Sequence, residues 1–234
     1  MPLPRRLFAE FVGTALLLAA VVGSGVMGVR LAQGNDGIAL LANAGATGAV
    51  LYALIVLFAP ISGAHFNPAV TLAMRLRGDM PTRDALAYMA TQLAGAVIGV
   101  LLAHAMFGLV LLQPGAHVRT GAAQWLSECV ATFGLLLTIL LGLRHRPQAI
   151  PVLVASWIFA AYWFTASTSF ANPAVTLARG LTQTFAGIRP VDVPAFVAAQ
   201  LAGAVLALGV AALFGAGPHR DSAAVHELHR SGLQ

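Results

Sequence analysis

The most chemically distinctive residues of this chain lie in two copies of one heptapeptide, Asn-Pro-Ala-Val-Thr-Leu-Ala. Asparagine is a preferred helix N-cap and proline suits the first helical position, so each copy predicts the start of a helix. When an asparagine oxygen caps its own helix, the NH2 group remains free to donate a hydrogen bond to a passing polar molecule. The two triplets of interest are Asn67, Pro68 and Ala69, and Asn172, Pro173 and Ala174.

Glu10 and Glu128 are the only carboxylates within the long apolar stretches of the sequence. An ionisable group at such a place marks a functional site by default, and a pair of carboxylates would suit acid–base chemistry or a proton relay. The two glutamates, however, occupy equivalent places in an internal repeat. This favours a matched structural role, in which each one accepts hydrogen bonds from irregular backbone.

The elements that must position these residues are membrane helices. The chain is 59% hydrophobic and only 9% charged over 234 residues, unlike a soluble domain of this length. Its apolar stretches are each close to the roughly 20 residues that cross a bilayer. They are Leu7 to Val29, Ile38 to Phe58, Ala85 to Leu112, Ala122 to Leu143, Ala149 to Ala166 and Pro194 to Phe214. The sequence predicts an all-α membrane protein with six transmembrane helices.

Charge placement predicts how these spans are oriented. All 13 basic residues are arginines, and most of them fall on one side of a six-span arrangement. By the positive-inside rule, both termini are expected in the cytoplasm, with residues 219–234 as a polar cytoplasmic tail. The net charge of +5 is thus a topology signal, and no basic run interleaved with aromatic residues indicates nucleic-acid binding.

An internal repeat divides the chain into two halves. The segment around Glu10 recurs around Glu128, and Gln92 to Val97 recurs as Gln200 to Val205, in the same order as the heptapeptides. Each half contains three spans, an odd number, so the second half must enter the membrane from the opposite side. We assign residues 1–113 to the first half and residues 114–218 to the second.

The segments that start at the two Asn-Pro pairs are too short to cross a membrane. Roughly ten residues at about 1.5 Å each reach halfway, which predicts re-entrant half-helices at 67–77 and 172–180. Because the halves are inverted, the helix N-termini should meet at the midplane. Each N-terminus carries roughly half a positive charge, so the facing termini should oppose cations, protons included, while neutral polar molecules pass.

These motifs resemble those of the major intrinsic protein family, the aquaporins and aquaglyceroporins. The resemblance covers nearly the whole chain: the segment around Glu10, residues 62–71, Gln92 and their counterparts in the second half. It implies the aquaporin fold, with six spans and two half-helices in an inverted repeat. It also implies a passive channel in the lipid bilayer of the cell membrane, in a bacterium the inner membrane, without a cofactor. Water and small neutral solutes would pass through one pore in each subunit of a homotetramer.

The residues before each asparagine must be non-helical, so that their carbonyl groups can line the pore, where water satisfies them. They are Gly63, Ala64 and His65 in the first half, and Thr168, Ser169 and Phe170 in the second. His65 could also gate the pore by protonation. We favour the simpler role of a neutral imidazole that lines the vestibule.

The expected constriction departs from the family pattern. Most members carry arginine directly after the second Asn-Pro-Ala, where this chain has Val175, and the acidic residue that follows in glycerol channels is Thr176 here. Spacing places the other filter positions at Thr47, Ala160 and Ser169. These filter residues are all small, so we expect a wider and less polar pore than a strict water channel has. Such a pore would admit glycerol-sized polyols, urea, ammonia, hydrogen peroxide and undissociated arsenite.

The valine gives a more specific resemblance. A valine directly after the second Asn-Pro-Ala is similar to the residue that bacterial family members linked with arsenic resistance carry at this position. The solute of those members is neutral arsenite or its methylated form. Arg179 lies one helical turn beyond Val175, and helical side chains lean toward the N-terminus, so it could reach back over the pore mouth. The alternative, which we favour, is that Arg179 extends to the lipid headgroups.

Two other classes of protein fit the sequence less well. An ion-coupled secondary transporter would also show an inverted repeat and broken helices, but it usually has midplane charges that bind substrate or protons. Here only the two glutamates are available for that role. The sequence has no nucleophile beside a placed base, no His-Glu-x-x-His and no metal-ligand cluster, so we expect neither an enzyme nor a metal site.

Overall fold

The computed structural model describes residues 1–216, and within them it is helical without any strand. The α-helices are α1 (Leu3–Leu31), α2 (Asp36–Ser62), α3 (Pro68–Arg77), α4 (Thr82–Met106), α5 (Ala122–His145), α6 (Ile150–Phe164), α7 (Pro173–Arg179) and α8 (Val193–Leu213). Six helical segments of the described residues are long and apolar enough to cross a membrane, while α3 and α7 are not. In this count α6 and α8 include the 3-10 turns that precede them, Pro147–Ala149 and Pro190–Asp192. The predicted all-α, six-span architecture is confirmed. The predicted tail at 219–234 lies outside the described residues.

The third span ends earlier than predicted, at Met106 rather than Leu112. Gly108 adopts a left-handed conformation with φ 65°, and the backbone N–H of Leu109 bonds back to the carbonyl of His104 at 2.9 Å. The chain stays apolar beyond this turn, so composition alone does not reveal the helix end. Residues 107–121 instead form the connection between the two halves.

Glycines allow the helices of each half to pack closely. In the first half, α4 crosses α1, and a Cβ built on Gly95 or Gly99 would overlap the backbone of α1. In the second half, α8 crosses α5 in the same manner, and a Cβ on Gly203 would overlap the carbonyl of Cys129. Small residues at such crossings let helix backbones approach, which provides the packing that lipid-exposed helices need.

We expect Gly99→Val to destabilise the fold strongly, because a Cβ at this position would overlap the carbonyl of Ala15 and the side chain of Leu18. Overpacking of this kind costs roughly 1–3 kcal/mol or more when the neighbour is backbone. Gly209 is the matched control, since a Cβ there meets nothing within 4 Å. Thermal unfolding in detergent should show a lower midpoint for Gly99→Val and little change for Gly209→Val. Equal midpoints would contradict this packing argument.

Candidate functional site

The two short helices begin as their sequence predicts, with asparagine as the N-cap. The side-chain oxygen of Asn67 accepts from the N–H of Ala69 at 2.8 Å. The oxygen of Asn172 accepts from the N–H of Ala174 at 2.9 Å and from that of Val175 at 3.3 Å. Both helix starts therefore have their first N–H groups satisfied by the cap.

The same two asparagines join the halves of the molecule. The Nδ2 of Asn67 donates to the carbonyl of Ala171 at 2.8 Å, and the Nδ2 of Asn172 donates to the carbonyl of Phe66 at 2.8 Å. An amide NH2 has two N–H bonds, and one of each is used across this junction. One N–H of each asparagine remains for the cavity, which both residues line.

The chain that leads into each short helix has an unusual backbone. Non-glycine residues with positive φ occur here in both halves, at Ala64, Phe66, Thr168, Ser169 and Ala171. Such conformations are costly for residues with a Cβ and persist only where the surroundings hold them in place. Within a bilayer, irregular backbone also needs partners for its polar groups.

Glu10 supplies such partners in the first half. One carboxylate oxygen accepts from the hydroxyl of Ser62 at 2.6 Å and from the N–H of His65 at 3.0 Å. The other accepts from the N–H of Phe66 at 2.7 Å and from the amide of Gln92 at 2.8 Å. Glu10 is fully buried and does not line the cavity.

Glu128 makes the equivalent contacts in the second half. Its two oxygens accept from the N–H groups of Phe170 and Ala171, each at 2.9 Å. The amide of Gln200 donates to it at 2.6 Å. Glu128 is likewise fully buried and away from the cavity wall. These are the contacts expected of a structural support for irregular backbone, and they leave neither carboxylate facing a permeating molecule.

A cavity of about 200 Å³ runs between the halves, past the two asparagines. Room for one water requires roughly 10–15 Å³, so this cavity can hold a file of water molecules or a small polyol. Its walls are mainly aliphatic and come from both halves: Leu17, Val21, Leu51, Ile55, Leu135, Ile139, Val154 and Ile158. Because α3 and α7 point in opposite directions, Met74 on α3 and Arg179 on α7 lie toward opposite ends of it.

Most of the predicted pore-lining residues reach this cavity. Gly63, Ala64 and His65 line it on the α3 side, and Ser169 and Phe170 line it on the α7 side. Nδ1 of the His65 imidazole lies 3.1 Å from the hydroxyl of Thr71, on α3. Thr168 is half-buried and does not line the cavity.

Three of the four predicted filter positions line the cavity, and one does not. Thr47, Ser169 and Val175 are buried and line the cavity. The prediction of Ala160 is wrong, because this residue is exposed on the opposite face of α6. Tyr162 lines the cavity instead, and its hydroxyl lies 3.3 Å from that of Thr47.

The error at Ala160 has a geometric reason. The residues of α6 that line the cavity are Ile150, Val154, Ile158 and Tyr162, which are spaced by four residues and therefore share one helix face. Counting back from the second Asn-Pro-Ala across a loop of unknown shape does not give the rotational phase of the helix. The i, i+4 spacing of large side chains within α6 was a usable signal.

Arg179 does not extend to the lipid headgroups, so the alternative favoured from the sequence is wrong. Its side chain is 1% exposed and lines the cavity. Its Nε donates to the carbonyl of Ala186, and its guanidinium carbon lies 3.4 Å from the ring centroid of Phe170. The hydrogen bond to this carbonyl and the contact with this ring hold the arginine inward.

Arg119, in the connection between the halves, was not identified from the sequence. Its Nε donates to the carbonyl of Gly187 at 2.9 Å and its Nη1 to that of Ser167 at 3.0 Å. Its guanidinium carbon lies 5.0 Å from the ring centroid of Phe170. No motif surrounds Arg119 in the sequence, and an arginine in a loop is ordinarily a topology signal, so only the fold reveals this position.

Backbone bonds fasten this connection to the segment that follows α7. Gly115 donates to the carbonyl of Gly180 at 2.8 Å, and the N–H of Arg119 donates to Asp192 at 2.9 Å. The carboxylate of Asp192 also accepts from Nε of Arg189 at 2.9 Å and from Nη2 of Arg189 at 3.0 Å. The loop that carries Arg119 is therefore fixed in place.

Within residues 1–216 the structure shows no group of three or more histidine, cysteine, aspartate or glutamate side chains that could hold a metal ion.

The profile of the family described as Major intrinsic protein matches residues 1–162. Aquaglyceroporin AqpS of Rhizobium meliloti is 58% identical over 208 residues, which cover 89% of each chain. Aquaporin AqpM of Methanothermobacter marburgensis is 31% identical in an alignment that covers 88% of this chain and 95% of that protein.

A solved structure shows the same fold. The X-ray structure of the aquaglyceroporin from Plasmodium falciparum superposes with a TM-score of 0.71, covering 88% of this chain and 93% of that chain at 18% sequence identity. At this identity the match concerns the arrangement of helices, and the chemistry of the site must be argued from the residues of this chain.

Proposed function

The chain belongs to the major intrinsic protein family and is a multi-pass membrane channel rather than an enzyme, and from this premise we propose a passive pore for water and small neutral solutes. The observation that carries the proposal is the cavity between the halves. It has aliphatic walls, and its polar groups include the two asparagine side chains. A solute that loses its hydration shell there can replace part of it through the free N–H bonds of Asn67 and Asn172.

The same geometry supports exclusion of cations and protons. The N-termini of α3 and α7 lie side by side at the two asparagines, and the partial positive charges of both face the cavity. A water between the asparagines would accept hydrogen bonds from both, which orients it against proton transfer along the file. Arg179 adds a further positive charge at the α7 end.

We assign the roles of the site residues accordingly. The two Asn-Pro-Ala triplets orient the solute at the middle of the pore, and Glu10 and Glu128 support the backbone that leads into them. Thr47, Tyr162, Ser169 and Val175 form the constriction on the α7 side. Because Val175 stands where an arginine would narrow the pore, this constriction suits solutes of the size of glycerol, and also arsenite or its methylated form as neutral hydroxylated molecules.

The relatives and the arginine pattern support a location and an oligomeric state for this channel. The rhizobial relative supports a bacterial inner membrane, and arginine placement supports cytoplasmic termini. The family resemblance supports a homotetramer, whose subunits would cover part of the apolar outer surface of the bundle. Glu10 and Glu128 are fully engaged by backbone and glutamine donors, away from the cavity, so they do not offer the midplane site that an ion-coupled transporter requires.

Stopped-flow light scattering on liposomes that contain the purified chain tests the proposal. We expect water, glycerol and arsenite to enter faster than in protein-free liposomes, with flux proportional to the solute gradient. Flux should not change when an ion or proton gradient is added. Fast water entry with exclusion of arsenite would overturn the wide-pore proposal, and a flux that saturates and requires an ion gradient would favour the transporter.

A further inference from the structure

Two guanidinium groups face the ring of Phe170 at the α7 end of the cavity. That of Arg179 lies 3.4 Å from the ring centroid and that of Arg119 lies 5.0 Å from it. The first half has no equivalent arrangement, since His65 stands in the place of Phe170 and Met74 in the place of Arg179. The pair is therefore a specific feature of one mouth and is not required by the fold.

Two polar atoms at this mouth are buried without a partner. They are Nη1 of Arg179 and the hydroxyl oxygen of Ser169, and both residues line the cavity. A buried donor on a charged group without an acceptor is unfavourable, because no hydrogen bond offsets the loss of its hydration. Such atoms are expected where a ligand or ordered water supplies the missing acceptor.

The charge of this mouth is not neutralised by a paired carboxylate. The ion pairs in residues 1–216 are Arg6–Asp84, Arg77–Asp79 and Arg189–Asp192, which include neither arginine of the pair. Arg119 is held by carbonyl oxygens instead. The carboxylate of Glu128 lies close enough for its charge to act on both arginines, but its oxygens accept from backbone N–H groups and form no ion pair with either. One carboxylate charge against two guanidinium charges leaves this mouth with net positive charge.

The electrostatic field of the two arginines reaches the loop above this mouth. The pKa of His117, in that loop, is lowered by burial and further by Arg119 and Arg179. The side chain of Arg179 is itself buried, so its attraction to an anion is stronger than it would be in bulk water.

We propose that this mouth contains a binding site for a small monovalent oxyanion, in which Nη1 of Arg179 and the hydroxyl of Ser169 donate to its oxygens. Arg119 contributes through its charge, because two of its nitrogens already donate to carbonyl groups. The bound anion occludes the pore for neutral solutes. It does not pass, because the aliphatic walls beyond it cannot replace the hydration of a charge. The inference rests on the proposed function, since occlusion is observed as a loss of solute flux.

The test measures glycerol entry into liposomes that contain the full chain, with inorganic phosphate at pH 6 on both sides. Phosphate is mainly the monovalent anion at this pH, and sodium chloride at equal ionic strength serves as the reference. We expect phosphate, but not chloride, to slow glycerol entry in a concentration-dependent and reversible manner. Phosphate entry, followed with an internal phosphate sensor, should stay at the rate of protein-free liposomes.

Three variants locate the site. Arg179→Met introduces the residue that the first half carries at this place, and Ser169→Ala removes one hydroxyl without altering the backbone. Each should raise the phosphate concentration for half-inhibition by roughly tenfold or more, since hydrogen bonds to charged groups are strong. Arg30 is an exposed arginine at the same end of the bundle and away from the cavity, so Arg30→Gln should leave half-inhibition unchanged.

The outcomes separate this inference from the proposed function. If the wild-type chain does not conduct glycerol at all, the proposed channel function fails. If it conducts glycerol and phosphate has no effect, only the oxyanion site is wrong. The site would also be wrong if Ser169→Ala left the phosphate concentration for half-inhibition unchanged. It would be wrong as well if Arg30→Gln raised this concentration as much as the other two variants do. Phosphate entry that depends on the channel would overturn the occlusion.

Discussion

Replacing Glu128 with alanine should abolish glycerol flux, because the chain that leads into α7 loses its acceptors. The N–H groups of Phe170 and Ala171 and the amide of Gln200 would all lose their partner within a dry interior. Each buried donor left unsatisfied costs roughly 1–3 kcal/mol, so the three together approach the whole stability of an ordinary domain. We expect little folded protein, and less than roughly a tenth of the wild-type flux per inserted chain.

The measurement combines thermal unfolding in detergent with glycerol entry into liposomes at matched protein content. Asp36→Ala is a suitable control, because this carboxylate is exposed at the start of α2. Glu10→Ala should be at least as damaging as Glu128→Ala, since Glu10 accepts from four donors. If Glu128→Ala unfolded at the wild-type temperature and lost only proton-dependent flux, a proton relay would be the correct role.

The sequence predicted best what a local rule determines. An asparagine before proline caps a helix wherever it occurs, and the starts of α3 and α7 at Pro68 and Pro173 follow from this rule. Repetition determined the inverted pairing of the halves, because three spans per half leave one geometric solution. The contacts of Glu10 and Glu128 agree with the role inferred from their equivalent places.

Positions that depend on the path of a loop were not predictable in this way. The rotation of α6 about its axis decides whether Ala160 or Tyr162 faces the cavity. This rotation cannot be inferred from the sequence of the loop after α6. The place of Arg119 depends on how residues 107–121 fold back over α7, which no motif indicates. Arg179 turns inward because of a carbonyl at Ala186 and the ring of Phe170, both fixed by tertiary structure.

Replacing Val175 with arginine should reduce glycerol entry by at least roughly tenfold while water entry falls less. Val175 lines the cavity, as do Ser169, Thr47 and Tyr162, so a longer side chain here would narrow the proposed constriction. A pore that narrows toward the width of one water excludes polyols first, because a larger solute meets the walls. Arsenite entry should fall together with that of glycerol.

Size and charge can be separated by two further variants. Val175→Leu adds volume without a guanidinium group, so a fall in glycerol entry for this variant would attribute selectivity to width alone. The new arginine would stand one helical turn from Arg179, and their like charges should repel. The double variant Val175→Arg with Arg179→Met relieves this repulsion and should fold better than Val175→Arg alone, while still excluding glycerol. If glycerol and arsenite enter all of these variants as fast as they enter the wild type, the constriction does not lie at Val175.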